Sequence, residues 1–174
     1  YEFYMAAKTE REYLHFILQM TSDPVHIDKA LQIDPTILSD FDRRQTNVVV
    51  LEYLVKNGWV PSIKYCSTIC TRGDSEALEC LCKLNAIPHT PEDFCMDKNC
   101  HQDTRGLNLC DWMAWGCSTP EINNILFKYN AINKKQKKFA DSCWETASES
   151  RIKIREMYLQ QRIEVKRDFY REIK

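Results

Sequence analysis

The chain has few of the residues that break or bend a backbone, with 4 Gly and 6 Pro among 174 residues. Together with long apolar-periodic stretches, that scarcity excludes a loop-rich all-β architecture and predicts a mostly helical, all-α protein. No stretch approaches the roughly 20 apolar residues of a membrane-spanning helix. The amino end, with Glu2, Lys8, Glu10 and Arg11, lacks the apolar core of a secretory signal. Tyr1 rather than Met opens the chain, which reads as a processed form or a fragment. Catalytic signatures are missing too: there is no Gly-rich phosphate loop, no Gly-x-Ser-x-Gly elbow and no His-Glu-x-x-His. Cys100 and His101 are sequence neighbours, but adjacent side chains diverge on helix or strand, so their adjacency is no sign of a catalytic pair. Net charge is only -1, which removes any overall attraction for nucleic acid or anionic lipid. The charge is uneven, however. Residues 134–174 hold 12 Lys or Arg against 7 Asp or Glu, leaving 12 against 18 in the first 133.

What the chain does have is a pattern that returns. Glu76-Ala77-x-x-Cys80-Leu81-x-Lys83-x-Asn85-Ala86-Ile87 recurs as Glu121-Ile122-x-x-Ile125-Leu126-x-Lys128-x-Asn130-Ala131-Ile132. A third copy, Leu51-Glu52-x-Leu54-x-Lys56-x-Gly58, lies without gaps over Leu78-Glu79-x-Leu81-x-Lys83-x-Asn85. Periods of a few tens of residues point to stacked units, because one such unit cannot bury its apolar face alone. Three parts follow: a helical amino-terminal part at 1–46, repeats at 47–133, and a long basic amphipathic helix at 134–174.

Apolar spacing and stop signals place the helices. Residues 3–20 read as one helix, and Val25 to Phe41 as two short helices parted at Asp34-Pro35. Asn47 to Asn57 is closed by Gly58; Ser62 to Thr71, with Ile63, Cys66 and Cys70 inward, turns at Gly73-Asp74 into Ser75 to Leu84. A short helix over Pro91 to Asp97, a helix over Leu107 to Trp115, and a capping box at Ser118-x-x-Glu121 complete the series. From Gln136 to Lys174 no Pro or Gly occurs, which permits one helix of up to 39 residues. Its latter part carries two apolar stripes, Ile152, Leu159, Ile163 and Tyr170 on one face and Ile154, Tyr158, Val165 and Phe169 on another, and so needs two surfaces to touch.

Asp103-x-x-Gly106-Leu107-x-Leu109-x-x-x-Met113-Ala114-x-Gly116, followed by Glu121-Ile122-x-x-Ile125-Leu126 and Asn130-Ala131, resembles the ankyrin repeat. Cys70-Thr71-Arg72-Gly73-Asp74-x-Glu76-Ala77-Leu78 is similar to that repeat's inter-helix turn, with Cys70 where Ala is usual. The resemblance covers about residues 47–133, and Met5-Ala6-Ala7 to Leu18 reads as a degenerate further copy. The Thr-Pro-Leu-His helix start is absent, the middle unit is short and the last is interrupted. The resemblance implies a solenoid of two to four helix pairs, closed by the carboxy-terminal helix as a cap. It also implies that partners bind at the turn tips and first helices: Trp59 and His89 at turns, Lys64, Tyr65 and Arg72 on one first helix, and Asp111, Trp112 and Trp115 on the next. Trp59 is the tryptophan expected to be most exposed. A second subunit would dock on the Tyr158, Val165 and Phe169 stripe.

The 9 Cys, an odd number with several on inward helix faces, point to reduced thiols in a reducing compartment, cytoplasmic or nuclear. A zinc site built from Cys95, Cys100, His101, Cys110 and Cys117 is the alternative, although no pair has the Cys-x2-Cys spacing of a tight knuckle. The run Lys134-Lys135-Gln136-Lys137-Lys138, continued by Arg155, Arg162 and Lys166, offers contacts for an acidic protein surface or for phosphates, or is simply a solvated helix start. Few aromatics accompany it for base stacking. The reading is a non-catalytic protein-protein interaction module, a structural or adaptor subunit of a larger assembly. A zinc-stabilised adaptor and a nucleic-acid-associated subunit are the alternatives.

Overall fold

A computed structural model describes residues 23–36, 47–96, 107–114 and 116–173, with side chains in the last helix as far as Glu164, Arg162 excepted. The helix expected over 3–20, the Asp103-x-x-Gly106 motif, Trp115 and the side chains of Val165 and Phe169 lie outside the described residues. The chain is mostly helical and divides into two compact units, residues 1–61 and 62–174.

In the first unit, Asp23 caps helix α1 (Pro24–Ile33) by accepting the Val25 N–H at 3.0 Å, and Pro24 supplies a preset φ. The helix ends at Asp34, before Pro35, as the steric restriction on a residue preceding proline requires. Helix α2 (Val48–Lys56) packs beside it, and the Tyr53 hydroxyl donates to the Asp28 carboxylate between them.

The second unit opens with a helical hairpin. Helix α3 (Ile63–Arg72) is capped by Ser62, and Gly73, at φ 70°, takes the left-handed turn into helix α4 (Ser75–Lys83). Strands β1 (Phe94–Cys95) and β2 (Leu107–Asn108) pair in parallel, Phe94 opposite Leu107 and Cys95 opposite Asn108. Asn108 then caps the single-turn helix α5 (Leu109–Trp112), which leads to helix α6 (Pro120–Lys128). Helix α7 (Lys134–Glu145) and helix α8 (Glu149–Ile173) complete the chain. Helix α4 packs on α3 and on α6, α6 packs on α7, and α8 lies back against α3.

The repeated sequence pattern becomes a repeated element. Helices α2, α4 and α6 are each 9 residues long. Their N-caps, Asn47, Asp74 and Thr119, stand at matching positions, and each side chain accepts a first-turn N–H. The buried triplets also match: Val50, Leu51 and Leu54; Ala77, Leu78 and Leu81; Ile122, Asn123 and Leu126. All three helices end in the same way. Gly58, Asn85 and Asn130 adopt positive φ of 98°, 53° and 60°. The next residue then donates back five positions, Trp59 to Leu54 at 3.0 Å, Ala86 to Leu81 at 2.9 Å and Ala131 to Leu126 at 2.8 Å. The left-handed residue itself donates back three positions, Gly58 to Val55 at 3.1 Å, Asn85 to Cys82 at 3.0 Å and Asn130 to Phe127 at 3.1 Å, and this pair of hydrogen bonds satisfies the last carbonyls of each helix, which Gly or Asn tolerates. Each fully buried Leu or Ile in the triplets contributes about 1.5–3 kcal/mol.

Several elements differ from the sequence expectation. The segment after Thr90 is a single 3-10 turn, Pro91–Asp93, followed by β1, and not a helix to Asp97. The helix expected over Leu107 to Trp115 is reduced to Leu109–Trp112, because Leu107 and Asn108 are committed to the ladder with β1. Thr119, not Ser118, caps α6; the Ser118 hydroxyl instead donates to Asn123 Oδ1 at 2.7 Å. Ile63 is 40% exposed while Tyr65 turns inward, so the buried face of α3 is Tyr65, Cys66, Ile69 and Cys70.

The carboxy-terminal segment is two helices and not one. The Thr146 N–H and hydroxyl both return to the Ser142 carbonyl, at 3.0 and 2.8 Å, closing α7 without Pro or Gly. The corner is seated on Gly116, at φ 103°, where an added Cβ would lie 2.5 Å from the Cys143 carbonyl oxygen. Arg155 fastens the second helix. Its guanidinium sits 3.7 Å from the centre of the Trp144 ring and donates to the carbonyls of Trp144 at 2.8 Å and Gly116 at 3.3 Å.

Candidate functional site

An open groove of about 770 Å³ runs between α3, α5 and the segment joining α4 to β1. Ile63, Lys64 and Ser67 of α3 form one wall, Asp111 and Trp112 of α5 another, and Pro88, His89 and Asp93 a third. Volumes of several hundred Å³ with a few convergent polar groups are typical of ligand clefts. Ser67 ties the first two walls together, its hydroxyl donating to the Trp112 carbonyl at 2.9 Å. The third wall is held by its own turn and by α7. The Asp93 carboxylate accepts the Thr90 N–H at 2.7 Å, and Gln136 Nε2 of α7 donates to the Pro91 carbonyl at 2.7 Å.

The groove is built over three aromatic rings in mutual edge contact. His89 meets Phe94 at 4.6 Å and Trp112 at 5.0 Å between ring centres, and Phe94 meets Trp112 at 5.3 Å. His89 is 7% exposed and Trp112 4%. Among the described residues, neither ring nitrogen of His89 has a hydrogen-bond partner, and neither has Trp112 Nε1. A buried polar group left unpaired costs about 1–3 kcal/mol. Burial also pushes the His89 imidazole down to about 4, against a smaller opposing pull from Asp93, so the ring is neutral at pH 7.

The residues expected to contact partners are sorted by this geometry. Lys64, His89, Asp111 and Trp112 come together around the groove, Lys64 and Asp111 exposed at its mouth. Tyr65 does not join them: it is 1% exposed, turned into the α3 core, and burial raises its hydroxyl well above the usual range. Arg72 is half-buried at the far end of α3, with Nε buried and unpartnered. Trp59, expected to be the most exposed tryptophan, is 5% exposed; its N–H closes the left-handed turn after α2 and its ring is drawn inward. Tyr158 is half-buried on α8. Sequence reasoning missed Ile63 as a wall residue, having assigned it to the core, and missed Pro88, Phe94 and Leu107. The position of Pro88 beside His89 was the available signal.

The other constellations are divided. Lys134, Lys135 and Lys138 are exposed, but Lys137 pairs with Asp141 at 2.8 Å and Arg155 is taken up by Trp144, so the basic stripe expected to run through Arg155 is interrupted. Among the described residues, no group of three or more His, Cys, Asp or Glu is arranged to hold a metal. Cys110 and Cys117 are buried, Cys95 is half-buried, and Cys100 and His101 lie outside the described residues. In the α3–α4 core, burial pushes the thiols of Cys66 and Cys82 up to about 12 and raises that of Cys70 well above its usual value. No helix among the described residues is long and apolar enough to cross a membrane. Compared with protein-family models, curated proteins and solved structures, the chain matches none.

Proposed function

We propose that this chain is a non-catalytic protein-binding module whose partner lies in the groove between α3, α5 and the Pro88–Asp93 segment. The observation that carries the reading is the groove itself, where Lys64 and Asp111, from the first helices of consecutive helix pairs, flank Trp112. Protein-binding hot spots are enriched in Trp, Tyr and Arg near the centre of an interface, the place Trp112 holds among the groove residues. The shared caps, buried triplets and left-handed ends of α2, α4 and α6 support a divergent ankyrin-like array. The packing of α4 on α6 is how neighbouring units of such an array bury their apolar faces.

In this reading α7 and α8 are the cap of the array. Met157 and Ile163, about half exposed at positions roughly 120° apart around α8, leave apolar side chains open to a further subunit of a larger assembly. The inward, unbridged cysteines Cys66, Cys70 and Cys82 support work in a reducing compartment. The test is co-purification from the native source with the full-length chain, followed by mass spectrometry. Lys64→Glu with Asp111→Lys is compared with Lys135→Glu with Lys138→Glu. Loss of the same partners with the groove pair alone supports the reading. Loss with the lysine pair alone moves recognition to the basic start of α7.

A further inference from the structure

The floor of the groove holds unmet hydrogen-bonding capacity whose chemistry narrows the ligand. Several polar groups of the walls are occupied: Asn108 Oδ1 accepts the Cys110 N–H at 2.9 Å, Ser67 donates to the Trp112 carbonyl, and Asp93 accepts from Thr90, while Lys64 and Asp111 stand exposed at the mouth. What remains buried at the floor is one donor on Trp112 Nε1 and, on the neutral His89 ring, one donor and one acceptor. The two rings meet edge to face with centres 5.0 Å apart, so their unmet groups belong to one cluster.

Ligand classes separate on this inventory. An ammonium or guanidinium only donates, and would leave the Trp112 N–H unmet. A carboxylate only accepts, and would leave the unprotonated nitrogen of His89 unmet. A hydroxyl does both through a single oxygen, whereas a carboxamide does both from two separate atoms and so can span two rings. The carboxamide oxygen accepts from Trp112 Nε1 and its amino group donates to the unprotonated imidazole nitrogen, with a further N–H left for a groove carboxylate.

We propose that the paired unmet groups of His89 and Trp112 form a subsite for the side-chain carboxamide of an Asn or Gln, carried on an extended segment of a protein partner. This rests on the groove being the partner-binding surface. Because these nitrogens are closed off from solvent as the rings stand, the amide enters by displacing the His89 ring from its edge contact.

The experiment is selection of a random displayed-peptide library on the full-length chain. Enriched peptides are expected to share an Asn or Gln between apolar residues. In a synthetic copy of one, Gln→Leu is expected to weaken binding about tenfold or more, because a site built to hydrogen-bond a group rejects the analogue lacking it. Trp112→Phe is expected to erase that discrimination. The wild-type chain supplies a readout independent of the variant: the indole N–H resonance of Trp112 shifts with the Gln peptide bound and stays with its Leu analogue. Enriched peptides without a carboxamide, discrimination that survives Trp112→Phe, or equal indole shifts with both peptides overturns the subsite. In each of those cases the groove reading stands if Ile63→Glu abolishes capture. Failure to capture any peptide, or capture indifferent to Ile63→Glu, overturns the subsite and the groove reading together.

Discussion

Asn123 Nδ2 donates to Asp141 Oδ1 at 3.0 Å, joining α6 to α7 through a side chain that is 0% exposed. Asn123 stands where the other two copies place Leu51 and Leu78, so the terminal copy replaces an apolar contact with a directed one. Its other amide atom accepts from Ser118, and Asp141 is held in turn by Lys137 at 2.8 Å. A hydrogen-bonded network anchored on a buried amide fixes how two helices meet, whereas a Leu would allow them to slide.

Asp141→Ala is therefore expected to destabilise the chain by about 1–3 kcal/mol, because it leaves the buried amide without its acceptor. Lys137→Ala, which removes only a partly exposed ion pair, is expected to cost under about 1 kcal/mol. Urea unfolding midpoints of the two variants measure the difference, and equal losses would mean that the amide bond is not what holds α7.

His89 makes stability depend on pH. Its folded pKa, about 4, lies below the usual 6.5, so the unfolded chain binds the extra proton and stability falls as pH drops from about 6.5 towards 4. The loss is on the order of 3 kcal/mol if the whole shift is expressed. Urea midpoints at pH 7 and pH 4.5 are expected to differ less in His89→Gln than in the parent chain, and parallel shifts would exclude His89 as the source.

Two glycines at similar φ separate strain from space. Gly58 has nothing within 4 Å of an added Cβ, whereas at Gly116 the Cβ meets the Cys143 carbonyl at 2.5 Å. Gly58→Ala is expected to cost about 1–2 kcal/mol through the left-handed φ alone. Gly58→Asn, the residue the other two copies use, costs less. Gly116→Ala is expected to cost more than either, since the α7–α8 corner must move, and thermal melts of the three variants rank them.

Arg155→Lys keeps the charge but loses the planar stacking and the two-carbonyl fork. The expected result is faster hydrogen exchange and proteolysis around Thr146–Ser148 and the first turns of α8, with α4 and α6 unchanged. Acceleration spread evenly across the chain would show that Arg155 supports the whole fold and not this joint.

The elements legible in the sequence were those with local causes. The aligned Lys-x-Gly and Lys-x-Asn positions marked three helix ends because a left-handed residue is a local requirement, and Gly73 marked the hairpin turn for the same reason. His89, Lys64, Asp111 and Trp112 were named through the repeat resemblance, and they do meet at one groove. What was hidden depends on distant partners. Nothing near Thr146 announces a break; the corner exists because Gly116, some thirty residues earlier, leaves room for it. The strand at Leu107–Asn108 needs Phe94–Cys95 beside it, and Trp59 is inward because the chain turns after Gly58. Asn123 gave no sign of being core, since its partners Ser118 and Asp141 come from either side of its own helix.

The bond from Gln136 to the Pro91 carbonyl makes the groove a property of distant sequence. Gln136 is itself oriented by Asn133, whose side chain accepts the Gln136 N–H at 2.8 Å and whose own N–H is taken by Gln136 at 2.9 Å. The wall that carries His89 is thus moored to the first turn of α7, and under the proposed function whatever loosens that turn lowers affinity in the groove by linkage, just as an occupied groove steadies the turn. A chain cut at Asn133 would lose Gln136 and present a groove with one wall adrift, so partner loss on such a truncation would report on the mooring and not on a second docking surface.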